Sequence, residues 1–352
     1  MADSMFPRRL IMVTHLSSHF DYAAAEYETV PCNLCGRPDY LLLARRDQHG
    51  LPVRTCLCKN CGFMYVSPRM TRAWYERYYA RAYRIERAKP GSSAASPTFA
   101  FDKGQRFGRA LARLIQPHIL PGLTIEVGSS SGGVLAGFQS VLPAIEPFGI
   151  EPSPDEAAYA EGHGIPTRRA LLEEFAEPMA PAANIVCVRS LNHLLDPRRF
   201  LTWAHGALAP GGKLILAVLD FRHSAKKRGS VRRAAQIDHV SMFTAETLRA
   251  FVTAAGFDIK FMDVNESKPI PVLLARRGSG LTGQHLRLVA KRAERAPFAD
   301  LTPAAGLGPK IAASMRAHRL IAYWVAFCAW RLWWRIRGRL RRMAASSRAC
   351  VA

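Results

Sequence analysis

The feature that most restricts the fold of this chain is a short apolar strand, Leu123–Val127, running directly into Gly-Ser-Ser-Ser-Gly-Gly at positions 128–133. A strand that ends in a glycine-rich turn and then enters a helix offers unpaired backbone amides at the helix start. The glycines also let a ligand approach the main chain closely. About twenty residues on, at the acidic position of such folds, Glu151 ends a second apolar run, Ile145–Ile150. A carboxylate placed there can accept both hydroxyls of a ribose. NAD shares this strand–turn–helix–acid logic, so these two features alone leave the nucleoside cofactor open.

Around this core, apolar runs alternate with helical periods, as a parallel α/β sheet requires. Strands are predicted at Leu123–Val127, Ile145–Ile150, Asn184–Val188, Lys213–Leu219, Phe257–Asp263 and Pro271–Ala275. Helices are predicted at Ser153–Gly162, Pro197–Leu208 and Thr244–Ala255, the last with Thr244 as N-cap and Thr247 three residues later. Hydrophobic residues make up 49% of the 352, enough for a sizeable core and too many for a disordered chain.

Five of the eight cysteines fall between Cys32 and Cys61, as Cys32-x2-Cys35, then twenty-two residues, then Cys58-x2-Cys61, with Cys56 as a fifth. Two such knuckles supply the four tetrahedral thiolates that a structural zinc ion takes, and Gly36 and Gly62 follow them where tight turns need glycine. A closed set of four ligands would hold structure and perform no chemistry. Cys56 is read as a spare. A tyrosine-rich stretch with Trp74, Tyr75, Tyr78, Tyr79 and Tyr83 follows and reads as helical, and Lys89–Pro97 then breaks every pattern as a linker.

The segment Glu126-Val-Gly-Ser-Ser-Ser-Gly-Gly resembles the first motif of class I methyltransferases, although Ser130 replaces the usual central glycine. Leu208–Val218, with its Leu-Ala-Pro-Gly-Gly turn, looks like the entry to their fifth strand, and Asn192–Leu201 is similar to the segment after their fourth. The resemblance implies an S-adenosylmethionine cofactor held by Glu126, Gly128, Ser130, Gly132 and Glu151. With the cysteine knuckles, Ser67–Arg69 and Tyr78 to Tyr83 included, residues 30–277 resemble bacterial sugar C-methyltransferases and their relatives. The implied acceptor is a sugar or nucleotide-sugar in glycan synthesis, methylated on carbon or oxygen.

Carbon methylation of a ketose needs a base beside the carbonyl and donors for the enolate oxygen. Asp238-His239 resembles the acid–His pair of those enzymes, one methylene shorter on the acid, and His193 follows the fourth strand. An imidazole of ordinary pKa suits the base. The predicted catalytic set is therefore His239, Asp238 and His193. Six Lys or Arg between Arg222 and Arg233 suggest a clamp for a diphosphate.

The formal charge is +22, and residues 301–352 carry ten Lys or Arg and no Asp or Glu. There, Leu320–Trp330 is uncharged and aromatic, and an Arg-rich run to Met343 follows. The expectation is a helix lying on an anionic membrane; packing on the protein and binding to nucleic acid are the weaker readings. No signal segment or membrane span is read, which places the chain in the cytoplasm, peripheral at the inner membrane face.

The predicted architecture is an α/β, Rossmann-like, mostly parallel sheet with helices on both faces, preceded by a small zinc knot and followed by a basic helical tail. The boundaries are 1–88 for leader and zinc domain, 105–277 for the methyltransferase-like domain and 278–352 for the tail. An RNA methyltransferase with a zinc knot is one alternative reading. A non-catalytic zinc and membrane scaffold with a degenerate cleft is the other.

Overall fold

The computed structural model describes residues 20–83, 96–171, 181–264, 285–298 and 306–316. Its centre is a seven-stranded sheet in the order β8-β7-β6-β9-β10-β13-β12. The strands are β6 (Gly122–Val127), β7 (Ile145–Ile150), β8 (Thr167–Arg168), β9 (Ala182–Val188), β10 (Leu208–Leu219), β12 (Phe257–Val264) and β13 (His285–Arg292). The pairs from β8 to β10 are parallel. β13 enters antiparallel between β10 and β12, with Lys213 opposite Lys291 and Leu219 opposite His285. The chain order reverses on either side of β6, and in open α/β sheets ligands bind at that point.

Residue alternation along β9 shows why helices cover both faces. Val186 and Val188 pack with Phe107, Leu111 and Ile115 of α2 (Pro97–Ile115) and with Val134 and Phe138 of α3 (Gly133–Gln139). Ile185 and Cys187 point to the other face, in one core with Phe200 and Leu201 of α5 (Pro197–Ala207) and Leu248 and Phe251 of α8 (Ala245–Ala254). α4 (Pro154–Gly162) follows β7. The predicted cap of α8 is present as a reciprocal box: Thr247 N–H donates to the Thr244 hydroxyl, and Thr244 N–H donates to that of Thr247.

One strand prediction needs correction. β10 starts at Leu208 rather than Lys213, because Leu208 pairs with Ala182 across a register shift that absorbs the Pro-Gly-Gly turn. The predicted strand Pro271–Ala275 lies outside the described residues, and the strand inserted beside β10 is β13. The sheet thus runs past Arg277.

Ahead of the sheet, β2 (Tyr40–Ala44), β3 (Thr55–Cys58) and β4 (Met64–Val66) form an antiparallel meander, and α1 (Arg72–Arg81) carries the tyrosines. A fourth strand, β11 (Ser241–Met242), joins it from within the α/β segment by pairing with β4. Phe63 lies 4.8 Å from Phe251 and 5.4 Å from Phe243, ring centre to ring centre. Cys32, Cys58 and Cys61 belong to the same buried cluster as the sheet. The cysteine module and the sheet share one core.

Residues 307–316 form a further helix, α9. Its Ile311, Ala312 and Met315 are buried with Leu57 and Met64, and Gly308 N–H donates to Asn60 O at 3.3 Å. The base of the C-terminal tail is therefore seated on the second cysteine knuckle. Leader residues 1–19, the linker residues up to 95 and the predicted tail helix Leu320–Met343 lie outside the described residues. Among the described residues, no helix is long and apolar enough to cross a membrane.

Candidate active site and metal knot

The four knuckle sulfurs converge. All lie within 4.8 Å of one another, with Cys32 Sγ 3.4 Å from Cys61 Sγ and Cys35 Sγ 3.5 Å from Cys58 Sγ. A tetrahedron with zinc–sulfur bonds of about 2.3 Å has edges of about 3.8 Å, so the donor set fits such an ion without rearrangement. Interactions with Cys32 and the other neighbouring sulfurs hold the Cys35 thiol well below its usual range and Cys58 at about 7. Gly36 and Gly62 both have φ of +74°, as the knuckle turns require. Cys56 stands apart: burial pushes its thiol up to about 11, and its sulfur donates to Ser67 O at 3.4 Å.

At the carboxyl ends of β6, β7 and β9 lies a cleft of about 750 Å³. Glu126, Gly128, Ser130 and Glu151 of the predicted cofactor set line it. Gly132 sits in the turn between Ser131 and Gly133, both of which line the cleft. At φ of +79° it turns toward Ala160 and Ile165, and a Cβ there would sit 2.9 Å from that of Ala160. Its contribution is close packing of loop against helix.

Ser130 takes the left-handed backbone normally left to glycine, with φ of +51°. Its N–H donates to Glu151 Oε2 at 2.9 Å, and its hydroxyl donates to Glu156 Oε2 at 2.9 Å. Glu151 Oε1 accepts from Ser153 N–H at 2.9 Å. The serine substitution thus leaves the turn in its glycine-like shape and ties it to two carboxylates. Glu126 is fully buried, and Oε2 has no hydrogen-bond partner among the described residues. Burial, then the charge of Glu151, pushes its carboxyl well above the usual range. Glu126 thus sits beneath the turn, where burial disfavours its charged form.

The opposite wall comes from α1 and the segment after β9. His193 lines the cleft, together with Tyr79 and Tyr83. Behind it, Asp238 and His239 are only 2% and 7% exposed. Asp238 Oδ2 and the Tyr79 hydroxyl lie 3.5 Å and 3.2 Å from His193 Nδ1, and the rings of His193 and His239 are 4.8 Å apart. Burial, then the Asp238 charge, pushes the Tyr79 phenol well above its usual range, so it keeps its proton. A neutral His193 can accept from that phenol, and a protonated one finds the Asp238 carboxylate beside the same nitrogen. The predicted trio is thus assembled, with His193 rather than His239 at the cleft wall.

The predicted clamp is elsewhere. None of the six Lys or Arg from Arg222 to Arg233 lines the cleft. They lie on α6 (Phe221–Arg228) and α7 (Val231–Ala234), where Arg222 makes a two-pronged ion pair with Glu246. The cations that do line the cleft are Arg72, Lys103, Arg169 and Arg189. They are scattered over four elements in sequence, so no local run of charge marks them.

A family described as a methyltransferase domain matches residues 100–260. The matched stretch, a little under half of the chain, is similar to a methyltransferase domain. The match spans β6 to β12, so it covers the glycine turn, Glu151 and the His193–Asp238–His239 cluster, and it leaves out the cysteine module. Among solved structures, the plantazolicin methyltransferase BpumL, in complex with a triazolic desmethylPZN analogue and S-adenosylhomocysteine, is 13% identical. That comparison covers 58% of this chain and 93% of that one, with a TM-score of 0.44. An S-adenosylmethionine-dependent methyltransferase from Mesorhizobium loti is 18% identical, covering 52% and 98%, with a TM-score of 0.43. One from Thermotoga maritima is 20% identical, covering 55% and 94%, with a TM-score of 0.39. No curated protein matches the sequence.

Proposed function

We propose that this methyltransferase uses S-adenosylmethionine to methylate carbon or oxygen of a sugar or nucleotide-sugar, with a structural zinc ion held by Cys32, Cys35, Cys58 and Cys61. The reading is carried by one observation: the glycine turn and the His193–Asp238–His239 cluster line or back facing walls of a single cleft. Glu151, Gly128 and Ser130 are assigned to the cofactor on the first wall. When bound, that cofactor supplies an electrophilic methyl group whose carbon–sulfur bond breaks as the new bond forms.

The chain's own part is to accept a proton and hold geometry. The three-residue cluster takes the proton from the carbon beside the acceptor's carbonyl, or from its hydroxyl, with His193 nearest the cleft. Asp238 balances the charge that arrives on the ring, and the Tyr79 hydroxyl is placed to steady the same nitrogen. The ordered Ser130 turn argues against a degenerate cleft, the feature on which the scaffold alternative rested. The basic tail beyond α9 is assigned to the anionic inner face of the membrane.

Calorimetry with S-adenosylhomocysteine tests the first step, and micromolar binding is expected. Nucleotide-linked keto-sugars incubated in heavy water without methyl donor should then exchange the proton beside the carbonyl if carbon is the target. Failure to bind S-adenosylhomocysteine, or methyl transfer only to RNA, would overturn the assignment.

A further inference from the structure

Arg189 is the least explained charge in the cleft. It follows β9 directly and adopts φ of +60°, a left-handed backbone that is strained for a non-glycine residue. Its guanidinium lies 4.8 Å over the ring of Phe107, and Nε donates to His285 Nε2 at 2.9 Å. The two terminal nitrogens make no hydrogen bond or ion pair among the described residues, yet the residue lines the cleft. A cation fixed by a stack, a hydrogen bond and a strained backbone, with its free prongs in a cleft, is built to receive an anion.

Lys103 stands on α2 at the rim of the same cleft, also without an ion pair among the described residues. Burial, then the nearby Arg189 charge, pushes its ammonium below the ordinary value. The helix is pressed onto the glycine turn around it. A Cβ on Gly104 would meet Gly133 Cα at 3.2 Å, and one on Gly133 would meet Phe101 O at 2.2 Å. The backbone that carries Lys103 is therefore fixed against the turn.

We propose that Arg189 and Lys103 form an anion site for a carboxylate or phosphate on one of the two molecules that the cleft binds. Their position against the turn favours the carboxylate at the amino-acid end of the cofactor. That choice of source rests on the cofactor reading above, whereas the anion site itself does not. The alternative source is an anionic group on the acceptor.

The test uses the full chain and three probes in calorimetry: S-adenosylhomocysteine, 5′-methylthioadenosine, which lacks the amino-acid end, and inorganic pyrophosphate. The double variant Arg189→Met/Lys103→Met should lose about 10- to 100-fold in affinity for S-adenosylhomocysteine, as expected for removal of charged hydrogen bonds. Its affinity for 5′-methylthioadenosine should stay within about twofold, which also reports that the cleft is folded. If both nucleosides bind the variant normally but the variant loses the pyrophosphate binding that the unaltered chain shows, the site stands and its anion belongs to the acceptor. If the variant binds S-adenosylhomocysteine and pyrophosphate as the unaltered chain does, the proposal is overturned. If the unaltered chain binds neither nucleoside, the cofactor reading fails and the pyrophosphate arm alone decides the anion site. Should the double variant misfold, Lys103→Met at the exposed rim serves instead, with a smaller loss for the anionic probes only.

Discussion

Gly108 and Gly206 are both helical glycines, yet alanine should act on them in opposite directions. An alanine in a helix interior is worth up to about 1 kcal/mol over glycine. Around Gly206, at the exposed end of α5, a Cβ would meet nothing within 4 Å. Gly206→Ala should therefore stabilise the protein by about 0.5–1 kcal/mol. At Gly108 of α2 a Cβ would fall 2.3 Å from Val134 O and 2.8 Å from Val134 Cα. Those are backbone atoms of α3, so no side chain can swing aside; the two helices must part. Overpacking of this kind costs about 1–3 kcal/mol and exceeds the propensity gain, leaving Gly108→Ala destabilised by about 1–2 kcal/mol. Thermal unfolding followed by circular dichroism reads the difference. At about 2–4 °C per kcal/mol for a domain of this size, the melting temperature should fall by a few degrees for one variant and rise by a few for the other. Equal melting temperatures for the two alanine variants would refute the claim that α2 and α3 touch backbone to backbone.

Metal analysis should find about one zinc per chain; Cys32→Ser or Cys61→Ser should release it, and Cys56→Ser should not. Loss of zinc from the Cys56 variant would show that the fifth thiol is a ligand. Glu151→Ala should weaken S-adenosylhomocysteine binding by about 1.5–3 kcal/mol, read by calorimetry, and unchanged affinity would move ribose recognition elsewhere. His193→Ala and His239→Ala should each cut turnover by about 10²–10⁴-fold with cofactor affinity intact; a twofold loss from either would remove it from the proton-accepting cluster. Asp47 supplies a pH test. Burial pushes its carboxyl up to about 6, above the ordinary value of 3.8. The folded state therefore holds this proton more tightly than the unfolded chain does. The resulting stability is complete below about pH 4 and is lost as pH rises through about 6, by up to about 3 kcal/mol. Asp47→Asn should flatten denaturant-derived stability between those pH values, and an unchanged slope would show that another group governs it.

Local patterns were readable and long-range pairings were not. The glycine turn, Glu151, the two knuckles and the Thr244 cap each depend on residues within one turn or one strand end, and each is found where its spacing places it. β13 is not legible as a strand because His285–Arg292 carries charges that sit at its ends and against Asp263. β11 is two residues long, and its pairing partner β4 lies about 175 positions away, so no period within either segment could announce it. Arg189 gave no signal because its meaning lies in Phe107 and His285, which reach it only in the folded chain. The run from Arg222 to Arg233 misled for the converse reason: density of charge in sequence is not proximity to a cleft.

The pairing of Ser241–Met242 with Met64–Tyr65 also decides where this protein can be cut. A gene trimmed to the matched segment, residues 100–260, would remove β13 from the middle of the sheet and leave β12 detached from β10. It would also strip the cover from Phe243 and Phe251 and leave β11, the strand that directly follows Asp238 and His239, with nothing to lie against. Such a fragment should be recovered as insoluble aggregate, however complete it looks by homology. The smallest piece that folds must begin before the first knuckle and end after α9, so the unit of inheritance recognised in sequence is smaller than the unit that can fold.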